Sequence, residues 1–239
     1  MSGARLYGVG VGPGAPDLLT LRAASVLRGA SVLAAPRSSP KDASLALRIT
    51  REAVGEVLGQ ETLLLEFPMC RDLDARRTAR HAAVGAIAER LARGLSVAFV
   101  AEGDPLVYST FLELLRQAPR AFPGIPVEIV PGVSSITAVA AAARVPLAEG
   151  DGKLAIVPAG AALADLAELA REFETLLLFK AGPVLPSLRA ALVREGLIAR
   201  AWLICNATIA GERVVQNLAT FGGRCGYFST VLVSREVAP

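Results

Sequence analysis

The chain has 239 residues, of which 53% are hydrophobic and 20% charged, and its formal net charge at pH 7 is +3. This length and composition indicate a folded protein with a large core, in one big or two smaller domains, and exclude a disordered chain. Because the charge excess is small and no aromatic residues alternate with the arginines, we expect no nucleic-acid partner.

The first half of the chain alternates short apolar runs with helical patterns. This alternation predicts right-handed βαβ units and a parallel sheet with helices on both faces. A proline-rich stretch, residues 118–126, is interpreted as a loop before the last strand of this sheet. The predicted strands lie near Arg5–Val11, Ser31–Ala34, Thr62–Leu65, Ser96–Ala101 and Val127–Val130, and the helices near Thr20–Arg28, Ala43–Leu58, Arg76–Arg93 and Ser109–Gln117.

The second half predicts a separate α/β domain, with the boundary near Pro131 and hence domains of residues 1–131 and 132–239. Helices lie between its first three strands, whereas the last strands are joined by shorter connections, which favours a mixed sheet. The predicted strands are Lys153–Val157, Thr175–Lys180, Ala201–Cys205, Glu212–Asn217 and Thr230–Arg235, and the helices are Ser134–Ala143, Ala162–Arg171 and Val184–Glu195.

Three glycine-containing turns follow predicted strands of the first domain: Gly10–Gly14, Gly103–Pro105 and Pro131–Ser135. In open α/β sheets, ligands bind at the carboxyl ends of strands. Within the second turn, Asp104 is placed to accept hydrogen bonds from a ligand or to cap the turn. The three turns together therefore predict a ligand site.

The first of these turns also satisfies, in form, the dinucleotide fingerprint, through Gly10, Gly12 and Ala15. Pro13 and Pro16 interrupt the turn, however, where a Rossmann loop needs free N–H groups for the pyrophosphate. The second predicted strand also ends without the Asp or Glu that would bind a ribose hydroxyl. A nicotinamide or flavin enzyme is therefore disfavoured, and the lack of a following Gly-Lys-Ser/Thr excludes a P-loop.

Cysteine and histidine are sparse. Cys70, Cys205 and Cys225 are odd in number and form no C-x-x-C pair, and His81 is the single histidine. We therefore expect neither a disulfide framework nor a protein-bound metal, nor a mechanism that needs a pair of catalytic histidines. His81 is predicted to lie on the solvated face of an arginine-rich helix.

The longest apolar stretches, such as residues 136–143, fall well short of the ~20 residues needed to span a bilayer. The N-terminus lacks the charged and apolar regions of a secretory signal. The sequence thus predicts a cytoplasmic protein with no membrane partner.

Taken together and in this order, the three turns resemble those of the tetrapyrrole (corrin/porphyrin) methyltransferase family, whose members use S-adenosylmethionine. The segment Glu102–Phe111, chiefly its Tyr-Ser-Thr-Phe end, is similar to the branch of that family that methylates precorrin-2 at C20 in cobalamin synthesis. The resemblance runs from Tyr7 through Asn206–Thr208 to the final strand and covers nearly the whole chain. It implies a two-domain homodimer with the cofactor in a trough between the domains, and S-adenosylhomocysteine as a product.

The resemblance also implies which residues contact the cofactor. Many relatives carry Met at the position of Phe179 or Lys180, and this chain departs from that pattern. The implied contacts are Pro13, Glu102, Gly103, Asp104, Val107, Ser134 and Ser135, then Phe179 or Lys180, and finally Ala207.

Methyl transfer from a sulfonium is an in-line displacement, for which the protein mainly holds donor and acceptor together in a water-poor cleft. Tyr108, beside the cofactor segment, would orient the acceptor carbon or take part in proton transfer, or else simply pack with its hydroxyl satisfied. The carboxylates of a tetrapyrrole need cationic partners. Arg37, Lys41 and Arg48 are the candidates, with ordinary surface charge as the alternative for each.

Three further functions are open on the sequence alone. One is a methyltransferase of the same family that acts at another tetrapyrrole carbon, for example on uroporphyrinogen III. Another is a member of the fold that methylates a macromolecule such as ribosomal RNA, which a broad basic surface with stacking aromatics would favour. The third, a ligand-binding protein without catalysis, is disfavoured because all three turns are intact.

Overall fold

Two five-stranded sheets organise the computed structural model, which describes residues 3–70, 72–216 and 218–235. By its internal contacts the chain divides into unit 1, Met1–Ser134, and unit 2, Ser135–Pro239. Each sheet belongs to one unit, so each unit has its own core.

In unit 1, strands and helices alternate along the chain. The elements are β1 (Leu6–Gly10), α1 (Leu21–Gly29), β2 (Val32–Arg37), α2 (Leu45–Val54), β3 (Glu61–Glu66), α3 (Leu73–Ala92), β4 (Val97–Ala101), α4 (Phe111–Ala121) and β5 (Val127–Val130). The strand order is β3-β2-β4-β1-β5 and every pairing is parallel. All carboxyl ends therefore lie at one edge of the sheet, with β1 between β4 and β5.

The central strand β4 shows why this sheet is covered on both faces. All five of its residues are buried, and successive side chains of a strand point to opposite faces. Phe99 packs in a cluster with side chains of α3 and α4. Ala98 and Val100 pack in a second cluster, with side chains of α1 and α2. The predicted parallel sheet with helices on both faces is thus confirmed.

Local signals set the helix ends in unit 1. The Thr20 hydroxyl accepts a hydrogen bond from the Ala23 N–H at 3.1 Å and caps α1. Helix α2 ends at Val54, short of the predicted Leu58, because Gly55 adopts a left-handed conformation with φ of 75°.

The prediction of a loop from residue 118 was wrong, because α4 continues through Pro119 to Ala121. A proline this close to the end of a helix removes one hydrogen bond without breaking the remaining turn. The N–H of Phe122 still bonds to the Ala118 carbonyl at 2.8 Å, and both residues are buried. The apolar contacts of these two residues therefore hold the last turn in place.

Unit 2 begins with a helix and contains a mixed sheet. Its elements are α5 (Ser135–Ala143), β6 (Leu154–Pro158), α6 (Ala159–Ala162), α7 (Leu166–Glu172), β7 (Thr175–Phe179), α8 (Leu185–Arg194), β8 (Ala201–Cys205), β9 (Arg213–Val215) and β10 (Ser229–Ser234). The strand order is β6-β7-β10-β8-β9, in which β6 and β7 are parallel and the other pairs antiparallel. The predicted mixed sheet is confirmed.

Side chains of strand β7 pack against helices on both faces of the unit 2 sheet. Leu176 and Leu178 pack with side chains of α7 and α8. Leu177 and Phe179 pack with side chains of α5.

The prediction of a single helix over Ala162–Arg171 was wrong in its extent, since two shorter helices, α6 and α7, cover this region.

The expectation of no disulfide framework overlooked one disulfide bond. Cys205, the last residue of β8, is bonded to Cys225, and their Cα atoms are 6.3 Å apart. The two cysteines are 20 residues apart in sequence. Neither the local spacing nor the odd number of cysteines indicates this pair, because the two cysteines come together only when β10 pairs with β8. Cys70 is free and exposed.

The helices of unit 1 are amphipathic. Helix α3 buries Ala83, Ile87 and Leu91 and leaves His81 exposed, as predicted. Within the described ranges, no helix combines the length and apolar character needed to cross a membrane.

Candidate active site

The three turns found in the sequence lie next to one another in unit 1, because each follows one of three adjacent strands. Gly10 ends β1, Gly103 follows β4 and Gly132 follows β5. Since β1 lies between β4 and β5, the three glycines come together at the carboxyl edge of the sheet. This is where open α/β sheets bind ligands.

The main chains of these turns are in direct contact. A Cβ atom placed on Gly10 would lie 2.5 Å from the Gly132 nitrogen and 2.6 Å from the Gly103 oxygen. A Cβ on Gly132 would lie 2.1 Å from that same oxygen. Gly12 and Gly103 also form a bridge, in which the Gly103 N–H donates to the Gly12 carbonyl at 2.7 Å. Any larger residue at Gly10 or Gly132 would push the turns apart.

Asp104 links two of the turns through its side chain. Its Oδ1 accepts a hydrogen bond from the Leu106 N–H at 2.8 Å, within its own turn. Its Oδ2 accepts another from the Gly132 N–H at 3.1 Å. Of the two roles that the sequence allowed, the structure thus shows Asp104 as a cap, with each carboxylate oxygen accepting a main-chain bond.

The loop after Asp104 presents two large side chains to solvent. Leu106 is 48% exposed and Tyr108 is 50% exposed. Tyr108 has a φ of 51°, a left-handed conformation that is uncommon for a bulky residue and typical of functional sites. Phe111 closes the loop, fully buried with its ring 5.8 Å from that of Phe99. The loop is therefore anchored at both ends, with Tyr108 outermost.

Gly8 makes the anchoring by Phe111 possible. A Cβ at Gly8 would lie 2.3 Å from the ring of Phe111. The Ser109 hydroxyl accepts a hydrogen bond from the Phe111 N–H at 3.1 Å and fixes the start of α4. Within the Tyr-Ser-Thr-Phe segment, structural roles thus belong to Ser109 and Phe111.

Most of the other predicted cofactor residues lie on these same turns. Pro13, Val107 and Ser134 are half-buried, and Ser135 is the first residue of α5 in unit 2. Glu102, immediately after β4, is an exposed residue as a whole, but protein atoms around its carboxyl group desolvate that group and raise its pKa. The unit 1 residues of the predicted set therefore lie on turns at the carboxyl edge of one sheet.

The predicted residues of unit 2 lie at one edge of its own sheet. Phe179 ends β7 and is buried in the core on the α5 side, so Lys180 is the more accessible of the two alternatives. Ala207 follows β8 and lies between Asn206 and Thr208, which have φ values of 56° and 66°. Lys180 is also left-handed, with φ of 57°. Sequence analysis did not predict the positive φ values of these residues, because their side chains carry no signal for that backbone conformation.

The three predicted substrate-binding cations have different surroundings. Arg37, at the end of β2, donates to Glu66 Oε1 and to the Pro40 carbonyl, both at 3.1 Å. Its Nε is buried and has no hydrogen-bond partner among the described residues. Lys41, in the following loop, is exposed. Arg48 lies on the exposed face of α2.

Arg48 also has an acidic neighbour on its own helix. Its Nε is 3.9 Å from Glu52 Oε1, one helical turn further on. Arg37, the last residue of β2, lies at the carboxyl edge of the sheet, and its ion pair with Glu66 already holds it.

Comparison with known proteins agrees with this geometry. The family model described as "Tetrapyrrole (Corrin/Porphyrin) Methylases" matches residues 5–221. The cobalt-precorrin-2 C(20)-methyltransferase of Salmonella typhimurium is 34% identical, over 97% of this chain and 97% of the relative. The precorrin-2 C(20)-methyltransferase of Sinorhizobium sp. is 32% identical, over 96% and 94% of the two chains.

A solved structure shows the same fold. The uroporphyrin-III C-methyl transferase of Thermus thermophilus, complexed with S-adenyl homocysteine, has a TM-score of 0.69 and 23% identity. The alignment covers 97% of this chain and 98% of that one. The family model, the two relatives and this fold, together with the three joined turns, show that the chain belongs to the tetrapyrrole (corrin/porphyrin) methyltransferase family.

Proposed function

We propose that this chain transfers a methyl group from S-adenosylmethionine to C20 of precorrin-2, or of its cobalt complex, in cobalamin biosynthesis. The observation that carries the proposal is the end-to-end match with two C20-methyltransferases, at 34% and 32% identity. The second support is the meeting of the Gly10, Gly103 and Gly132 turns at one sheet edge.

Methylation at another tetrapyrrole carbon is the less favoured alternative. The uroporphyrin-III enzyme has the same fold but only 23% identity, which supports common architecture rather than a common substrate. A macromolecular substrate is disfavoured by the small net charge of +3.

The residues at the carboxyl edge of unit 1 suit an adenosyl group. Glycine turns leave the main chain open to close approach, Pro13 and Val107 supply apolar surface, and Ser134 supplies a hydroxyl. When bound, S-adenosylmethionine supplies a methyl carbon activated by a positively charged sulfur. The protein's task is then to hold donor and acceptor in line and exclude water.

Three side chains of the Glu102–Tyr108 loop have roles in this proposal. Tyr108, which is half-exposed and has a left-handed backbone, contacts the macrocycle and orients the acceptor carbon or takes part in proton transfer. Glu102, whose pKa is raised by desolvation, provides a carboxylate at the cofactor turn that attracts the sulfonium once ionised. Asp104 positions the turn through its two main-chain bonds.

The acidic side chains of the tetrapyrrole require cations at the surface of the site. Arg37 and Lys41 are proposed to bind them, because Arg37 is the last residue of β2, the neighbour of β4 in the sheet, and Lys41 lies in the loop that follows it. Arg37 would then share its guanidinium between the substrate and Glu66. Arg48 stays a weaker candidate, since Glu52 lies beside it.

Assembly and location are part of the same proposal. The family resemblance supports a homodimer that works in the cytoplasm on a small-molecule substrate. No protein-bound metal enters the proposed reaction, and cobalt, where present, belongs to the substrate.

An acceptor comparison tests the proposed function. The purified chain is incubated under anaerobic conditions with S-adenosylmethionine and, separately, precorrin-2, its cobalt complex or uroporphyrinogen III. We expect S-adenosylhomocysteine to form with one or both precorrin-2 species, and mass spectrometry to show a single added methyl group. Turnover of uroporphyrinogen III, with no turnover of either precorrin-2 species, would contradict the proposal.

A further inference from the structure

An open cleft of about 640 Å³ lies in unit 1 between helices α3 and α4. Arg116, Gln117 and Arg120 line it from α4, and His81 and Val84 line it from α3. Helix α4 connects the end of β4 to the start of β5, so it begins beside the carboxyl edge of the sheet and its last turns lie towards the opposite edge. The cleft is therefore apart from the three glycine turns, and its size is within the range of small-molecule sites.

The continuation of α4 through Pro119 shapes this cleft. Arg116 and Arg120 are one helical turn apart, a spacing that puts two side chains on the same face of a helix. In the loop that the sequence predicts from residue 118, the two arginines would not share a face. The buried Phe122, which holds the last turn of α4, therefore also holds Arg120 beside Arg116.

The cleft carries an excess of positive charge. No acidic side chain is found among the described residues that line it. Glu113, which does not line the cleft, has its Oε1 3.6 Å from Arg116 Nη1 and 3.5 Å from Nη2 of Arg80 on α3. Within the described part of the chain, the Arg120 guanidinium forms no hydrogen bond or ion pair. Three guanidinium groups and one carboxylate thus leave a net charge of +2 at the cleft.

The other lining groups are suited to a small organic ligand with an anionic end. The Gln117 amide and the His81 imidazole supply further nitrogen donors, one on α4 and one on α3. Val84, Pro119 and Ala121 supply apolar surface beside them. A phosphate monoester carries about 1.5 to 2 negative charges at pH 7 and three strong acceptor oxygens, whereas a carboxylate carries one charge. The charge of the cleft and its number of donors therefore favour a phosphate.

We propose that the α3–α4 cleft binds a phosphate monoester with a small apolar body. Arg116 and Arg120 bind the phosphate through charge-assisted hydrogen bonds, and the Gln117 amide and the His81 imidazole donate to its remaining oxygens. The apolar body packs on the apolar lining of the cleft. This site is independent of the proposed methyl transfer, because none of its residues belongs to the turns at the carboxyl edge.

The single histidine of the chain provides a direct readout of this site. The untagged chain is labelled with carbon-13 in histidine and titrated with phenyl phosphate at constant pH and ionic strength, while NMR follows the His81 imidazole. We expect a saturable change in the His81 chemical shifts with phenyl phosphate and none with phenol. Benzoate, whose carboxylate carries a single charge, should bind at least about tenfold more weakly. Absence of a saturable change with phenyl phosphate, or equal affinity for benzoate, would overturn the inference.

Variants matched in charge test where phenyl phosphate binds, with calorimetry as the measurement. Arg120→Gln should weaken its binding by about tenfold or more, and Arg120→Lys should weaken it less because the positive charge remains. Arg28→Gln is the control, because Arg28 is exposed in the last turn of α1, on the other face of the sheet. Its loss should leave the affinity for phenyl phosphate unchanged.

Two outcomes of these measurements would place the phosphate elsewhere. Equal weakening by Arg28→Gln and Arg120→Gln would show a general attraction of anions to a positively charged chain and would overturn the site. Displacement of phenyl phosphate by S-adenosylhomocysteine would also overturn it, since phenyl phosphate would then occupy the proposed cofactor site. We expect the two ligands to bind independently, because the cleft and the glycine turns lie towards opposite edges of the sheet.

Discussion

The carboxylate Oδ2 of Asp104 accepts a hydrogen bond from the main-chain N–H of Gly132 at 3.1 Å. This bond ties the turn after β4 to the turn after β5, across the end of the strand that separates them. The other oxygen, Oδ1, holds the Asp104 turn itself through the Leu106 N–H. One aspartate therefore sets the shape of two of the three turns of the proposed cofactor site.

Replacement of Asp104 by Ala should affect both stability and cofactor affinity. Loss of two main-chain bonds to a charged acceptor should lower the free energy of unfolding by about 1–3 kcal/mol. Because the turns would loosen, affinity for S-adenosylhomocysteine should fall by about tenfold or more. Denaturant unfolding and calorimetry measure the two effects.

A control for this variant is Asp74→Ala. Asp74 forms an exposed ion pair with Arg77 in the first turn of α3, so its loss should change stability by less than about 1 kcal/mol and leave cofactor affinity intact. If Asp104→Ala binds S-adenosylhomocysteine like the unaltered chain while staying folded, the cofactor does not use this turn.

Gly132→Ala should separate the turns without removing any polar group. The added Cβ would meet the Gly103 oxygen at 2.1 Å, and since that oxygen is main chain, the backbone must move. We expect weaker S-adenosylhomocysteine binding and a lower free energy of unfolding, by about 1–3 kcal/mol. Gly85→Ala, in the exposed interior of α3 with open space around it, should instead stabilise the fold by about 0.5–1 kcal/mol. If Gly132→Ala and Gly85→Ala changed the free energy of unfolding and the S-adenosylhomocysteine affinity equally, the contact among the turns would be refuted.

Substitutions at Tyr108 can separate the effect of its strained backbone from the effect of its side chain. Tyr108→Gly relieves the positive φ and should keep or raise the free energy of unfolding, by up to about 1 kcal/mol, yet lose methyl transfer. Tyr108→Phe should retain activity if the ring orients the substrate, and should lose it if the hydroxyl moves a proton. Thermal unfolding and single-turnover assays distinguish these cases. Full activity in Tyr108→Gly would remove the tyrosine from the mechanism.

Two glutamates should give opposite pH dependence of stability. Desolvation raises the pKa of Glu102 in the folded chain. The contribution of Glu102 to stability is therefore present below its pKa in the unfolded chain and is lost as pH rises through its folded pKa. Hydrogen bonds from Arg22 and then Arg5, and their positive charges, lower the pKa of Glu128 against a smaller opposing effect of desolvation. Its contribution is therefore present above the unfolded pKa and is lost as pH falls through the folded one.

The variants Glu102→Gln and Glu128→Gln should reveal this difference. Relative to the unaltered chain, Glu102→Gln should be more stable near neutral pH than near pH ~4, and Glu128→Gln should be less stable near neutral pH, by no more than about 1 kcal/mol. Urea unfolding across this range supplies the free energies. If both variants changed the free energy of unfolding near neutral pH with the same sign, the causes assigned to the pKa shifts of Glu102 and Glu128 would be contradicted.

Much of the fold was predictable because local signals coincide with tertiary structure. The apolar runs that became β1, β4 and β7 need no context, since each is largely or fully buried and is followed by a turn that contains glycine. The three turns were found for the same reason, as their glycines are visible in the sequence. The missed features depend on contacts between distant segments.

The Asp104–Gly132 bond and the Cys205–Cys225 disulfide show what was missing. The first joins residues 28 positions apart and requires that β1 lie between β4 and β5. The second requires that β10 return between β7 and β8. Strand order decides both, and local residue patterns do not specify strand order. The end of α4 beyond Pro119 was missed because burial of Phe122 outweighs the helix-breaking preference of proline.

The position of the transferred methyl group tests the central claim most directly. The chain is incubated with S-adenosylmethionine labelled with carbon-13 in its methyl group and with the precorrin-2 species that supports turnover, and the product is examined by carbon NMR. The proposed function predicts one labelled methyl, bonded to the meso carbon C20. A label at any other carbon of the macrocycle would contradict it.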